Sequence, residues 1–82
     1  MENQFFVGQA EFKTGHVLRK DLSLFVSGGD KDEIYEMFDS KNNAIEYAKK
    51  MNSKNPEIEF WVENNSRKTV FYISQKEIKF YE

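Results

Sequence analysis

The chain has no cysteine, one proline, one histidine and one tryptophan in 82 residues. Without cysteine there is no disulfide framework, no thiolate metal site and no sulfur nucleophile. A chain of this length sits near the lower end of what one hydrophobic core sustains, and nothing staples it. A single domain spanning residues 1–82 is therefore expected, held by packing alone. No apolar run approaches the roughly 18 residues of a membrane-spanning helix, and "MENQFFVGQA" lacks the basic start and long apolar stretch of a signal peptide. The expected location is the cytoplasm, with no membrane partner. Net charge is also small. Twelve basic and fourteen acidic residues give a formal charge of −2, which argues against general nucleic-acid affinity because counterion displacement needs a dense basic surface.

Aromatic residues, by contrast, are abundant: eight Phe, four Tyr and the one Trp make up 16% of the chain. Large rings bury much area per residue, which suits a small core. The first half reads as β. "NQFFVGQAEFK" and "HVLRKDLSLFVS" flank Thr14-Gly15, a connection short enough for a hairpin. Leu18, Leu22, Leu24 and Val26 share one face, interrupted by Lys20, which predicts a half-buried second strand or two shorter ones bent near Lys20-Asp21. Ser27-Gly28-Gly29-Asp30 breaks the pattern. "EIYEMFD" (33–39) then reads as a third short strand, with Ile34 and Phe38 on one face.

The helix signal is the clearest. Asp39 or Ser40 offers an N-cap, and Ala44, Ile45, Ala48 and Met51 form one stripe. Lys49, Lys50 and Lys54 crowd the end where the helix dipole favours cations, and Pro56 forbids continuation. A helix over about 41–53 follows. Beyond it, Ile58, Phe60 and Val62 share one strand face, and Val70 and Tyr72 oppose Phe71 and Ile73. Ile78 and Phe80 oppose Lys79 and Tyr81. The order βββαβββ with short polar connections predicts an α+β fold, a mostly antiparallel sheet of five to six strands with one helix packed on one face.

The residues that carry chemistry are few. His16 follows a turn glycine with no hydroxyl and carboxylate arranged around it, so no triad is indicated. "DKDEIYEMFD" is rich in carboxylates, but an EF-hand counted from Asp30 would place Tyr35 and Lys41 where Gly and Glu are required. Gly28-Gly29 lacks the remainder of a phosphate-binding loop, and Asn64-Asn65-Ser66 is a sequon that reads as a polar turn. No metal site, cofactor or catalytic residue is expected, and the protein reads as a non-enzyme. Glu57, Glu59 and Glu63 do form a regular array on one strand, alternate residues lying roughly 7 Å apart, and Trp61 shares their side.

That pairing of the largest apolar ring with the most acidic face suggests an interaction surface of Trp61, Glu57, Glu59, Glu63, Phe71 and Tyr81. Tryptophan and tyrosine anchor protein interfaces, and acidic rims speed association with basic partners. A small protein-binding module is expected, of inhibitor, immunity-type or accessory kind, with self-association as a close variant. The alternative is a single-stranded nucleic-acid binder using "RKTVFYIS" and "KEIKFYE", where Arg67, Lys68, Lys76 and Lys79 interleave with Phe71, Tyr72, Phe80 and Tyr81. The other account of Trp61 is a second, partly covered apolar face in which Phe71, Ile73 and Tyr81 shelter the indole.

Overall fold

The computed structural model describes residues 4–81 except Ser27, and Lys31 by its backbone alone. The expected strand residue Asn3 and loop residue Ser27 therefore lie outside the described residues. The chain runs β1 (Phe5–Glu11), β2 (Val17–Leu18), a 3-10 turn (Lys31–Glu33), β3 (Glu36–Phe38), α1 (Lys41–Lys54), β4 (Ile58–Glu63), β5 (Thr69–Ile73) and β6 (Ile78–Phe80). This is an α+β fold with one helix and a six-stranded antiparallel sheet ordered β2-β1-β4-β5-β6. β3 pairs with the N-terminal half of β1, on the edge whose C-terminal half β2 occupies. Among the described residues, three hairpins, one helical crossover and the irregular connection from β2 to β3 join the strands, the short polar turns linking antiparallel neighbours.

α1 begins where the sequence places it. Ser40 is the N-cap, its backbone extended and its Oγ accepting the Asn43 amide at 3.3 Å. The helix ends at Asn55, whose amide and Nδ2 both donate to the Met51 carbonyl at 2.9 and 3.1 Å before Pro56. Ala44, Ile45 and Ala48 are buried and Met51 partly so. They pack on Val7, Phe60, Val62, Val70, Phe71 and Ile73. The two alanines let α1 approach the sheet closely, and the rings of Phe60 and Phe71, both fully buried, fill the space beneath. Val70 joins this core through a register shift: Val62 pairs with Phe71 but Glu63 with Thr69, leaving Val70 as an extra residue.

The segment between β1 and β3 departs from the sequence pattern. The second strand stops after Leu18, with only an isolated bridge from Leu18 to Leu24 beyond it. Leu22 adopts a left-handed φ of 70°, which ends the two-residue alternation. Leu18 is consequently buried while Leu24 and Val26 are more than half exposed. The expected strand over 33–39 shortens to Glu36–Phe38, because the 3-10 turn occupies its start. Polar contacts hold this region instead. Arg19 reaches Glu33 at 2.9 Å, Ser23 at 3.2 Å and the Leu24 carbonyl at 2.6 Å. Gln9, 1% exposed on β1, donates from Nε2 to the carbonyls of Leu18 and Ile34, each at 2.7 Å. One buried amide thus ties two distant points of an irregular loop to the central strand, each bond replacing water lost on burial.

Candidate functional site

β4 pairs with β1 on one side and β5 on the other, so its outward residues look onto a face that α1 does not cover. Register places Gly8 of β1 and Tyr72 of β5 on either side of Trp61, and Phe6 opposite Glu63. The indole lies across Gly8 so closely that a Cβ there would stand 2.5 Å from Trp61 Cζ2. Glycine at this position is a packing requirement: it provides the floor on which the ring rests. Trp61 is half-buried as a result.

The acids around the ring have partners. Glu63 Oε2 accepts the Trp61 Nε1–H at 2.7 Å and the Tyr35 hydroxyl at 3.3 Å, while its Oε1 accepts Arg67 Nε at 3.0 Å. Glu59 accepts the Tyr72 hydroxyl. A partly buried indole N–H or phenol O–H needs an acceptor, and a carboxylate at the next outward position of the strand supplies a charge-assisted one. This is why the tryptophan shares its face with glutamates. Burial pushes the Tyr35 hydroxyl above its ordinary pKa of 10.0, and the Glu63 charge adds to the shift. The Tyr72 hydroxyl is raised in the same direction, by burial first and by its bond to Glu59 second.

Arg67 completes the group. Its Cζ lies 4.3 Å from the Phe6 ring centroid and 4.6 Å from that of Tyr35, two rings that meet edge to face at 81°. The guanidinium sits in a corner with an aromatic wall on each side and the Glu63 carboxylate as base. Its backbone is left-handed, φ 64°, in the turn joining β4 to β5. Asn64 organises that turn by accepting the Ser66 and Lys68 amides on Oδ1. Beside the corner is an open cleft of about 770 Å³, which Phe6, Tyr35, Met37 and Arg67 line together with Lys20, Asp32 and Glu36.

The structure redistributes the residues the sequence grouped. Trp61, Glu59 and Glu63 come together. Phe71 does not: it is fully buried beneath α1, since the expected outward side of β5 is corrected to Tyr72. Ile73 is likewise in the core and shelters no indole. Tyr81 follows β6, 42% exposed, with its amide bonded to Val70, and Glu57 is exposed ahead of β4. The basic and aromatic residues of the C-terminal strands also divide. Tyr72 pairs with Lys79 on the open face, whereas Phe80 is edge to face with the buried Phe71. Sequence reasoning missed Phe6, Gly8, Tyr35 and Arg67 as members of the site. Only Arg67 carried a signal, standing four residues from Glu63 across a turn.

Among the described residues, no group of three or more His, Cys, Asp or Glu is placed to hold a metal ion. No buried side-chain nitrogen or oxygen there lacks a hydrogen-bond partner. No helix among them is long and apolar enough to cross a membrane. His16 is exposed in the β1–β2 turn, its carbonyl accepting the Glu11 amide at 2.9 Å. Compared with known protein families, curated proteins and solved structures, the chain matches none.

Proposed function

We propose that this protein is a small cytoplasmic, non-catalytic protein-binding module, of inhibitor, immunity-type or accessory kind, that engages its partner through the helix-free face of the sheet. The observation that carries this reading is the state of the rings there. Phe6, Tyr35, Trp61 and Tyr72 are each half-buried; the polar tips of Tyr35, Trp61 and Tyr72 are fixed on Glu59 and Glu63, and Phe6 is edge to face with Tyr35. Rings held in one orientation lose little conformational freedom on binding, which is the property of an interface anchor. The rigid carboxylates are held as hydrogen-bond acceptors, an arrangement that suits recognition better than proton transfer. The nucleic-acid alternative loses support because Phe71 is buried beneath α1 and Phe80 packs against it while Tyr72 lies on the open face, so the rings of the C-terminal strands divide between two faces and form no single stacking platform.

The test is capture from the native host with and without nuclease, comparing the parent with Trp61→Ala and with Glu46→Ala on the exposed side of α1. A protein retained after nuclease treatment, and lost selectively with Trp61→Ala, is the expected result, with binding weakened by about 2 kcal/mol. Sedimentation of the purified chain covers self-association through the same face. Capture that nuclease abolishes, or that Trp61→Ala leaves untouched, overturns the reading.

A further inference from the structure

The corner that holds Arg67 has the composition of a receptor for an arginine side chain. We propose that Phe6, Tyr35 and Glu63 form a guanidinium-binding site, which the chain fills with its own Arg67 and which accepts an arginine of a basic partner segment in its place. The inference rests on the protein-binding reading above and names the chemistry of the partner.

The walls of the site and its occupant belong to different kinds of structure. Phe6 lies in β1 and Glu63 ends β4, both in the sheet, and Tyr35 directly precedes β3. Two hydrogen bonds from Trp61 and Tyr35 hold Glu63 Oε2, so the carboxylate stays aimed when the guanidinium leaves Oε1. Arg67 comes from an exposed turn, and its side chain is itself 45% exposed. It takes no part in the core beneath α1. Its left-handed φ is a conformation that a non-glycine residue adopts at a cost, so glycine can stand in its place without backbone strain.

An incoming arginine would recover the contacts that Arg67 gives up: two ring faces and one carboxylate. Exchange therefore sacrifices little at the site, and flanking contacts of the incoming segment can tip it. Those contacts are available in the adjoining cleft, where Asp32 and Lys20 lie among the lining residues with Met37. The net charge of −2 points the same way. Lysine fits less well, because a compact ammonium cannot lie flat against two perpendicular rings while donating to a carboxylate.

Arg67→Gly empties the site and suits the φ of 64°. Trp61 reports occupancy, because its indole N–H shares the Glu63 carboxylate. N-acetyl-arginine amide titrated into this variant should change Trp61 emission saturably in the millimolar range. N-acetyl-lysine amide should bind about tenfold more weakly, and so should the arginine probe to the parent, whose site is already filled. Adding Phe6→Leu to Arg67→Gly should remove the response. A folded Arg67→Gly variant with no saturable response overturns the proposal. If Arg67→Gly and Arg67→Gln both unfold, Arg67 is a brace that cannot be released, and the proposal fails equally. A partner captured through the open face but indifferent to the arginine probe sinks this inference and spares the protein-binding reading. Binding of the probe with no partner found does the reverse.

Discussion

The two faces of one sheet are closed by different physics. On the inner face, Val7, Phe60, Val62 and Phe71 meet Ala44, Ile45 and Ala48, and apolar volume excludes water. On the outer face the alternate residues of the same strands, Gly8, Trp61, Glu63 and Tyr72, lie away from α1. Stability there comes from rings laid on glycine and from hydroxyl, indole and guanidinium groups converging on carboxylates. Inner contacts are non-directional and tolerate modest changes of shape. Outer contacts are directional, so each partner fixes the orientation of the next.

The comparison breaks most visibly at Ala48. Ala48→Asp places an unpaired carboxylate in the fully buried interface of α1 with the sheet and should cost about 3 kcal/mol or more. Thermal melting followed by circular dichroism checks this, and a parent-like melt would remove the inner core from the account. Gly8→Ala probes the outer face with a single methyl group. The new Cβ would stand 2.5 Å from Trp61 Cζ2, so the indole must lift from its floor. We expect a loss of about 1–3 kcal/mol, with Trp61 emission shifted to the red because the displaced ring meets water. Unchanged emission and stability would mean that the ring does not rest on Gly8.

The smallest effect expected is a pH dependence. Burial raises the hydroxyl pKa of Tyr35, Tyr47 and Tyr72 above 10.0, with the Glu63 charge, the Glu36 charge and the bond to Glu59 as respective further causes. A raised folded-state pKa favours the neutral phenol in the fold. Its contribution is complete below pH 10.0 and fades as pH climbs through the raised values. Urea midpoints should therefore decline above pH 10.0. Glu63→Gln sharpens the comparison by removing a charge that raises Tyr35 while leaving Tyr47, on the helix, unaffected. A midpoint flat across that range would contradict the assignment.

Much of the fold was legible along the chain. The stripe Ala44-Ile45-Ala48 with Ser40 before it and Pro56 after it is local information, since capping and helical period act over one or two turns. The alternation Ile58-Phe60-Val62 likewise fixed which side of β4 meets α1, and so put Trp61 with Glu59 and Glu63. Alternation failed where one backbone torsion or one extra residue shifted the phase. Leu22 took a left-handed φ, exposing Leu24 and Val26, and the extra residue Val70 turned into the core beside Phe71. The period of two carries no warning of either event.

The sequence by itself determined the helix, its buried stripe, the order of elements and the acidic side of the tryptophan strand, because each rests on neighbours within a few residues. Only the tertiary structure decided what the tryptophan does there. Phe6, Tyr35 and Arg67 lie far apart in the chain yet meet around one carboxylate, through strand register and a turn in the left-handed region. Long-range pairing selects such contacts jointly, after each strand has already satisfied its own local preferences.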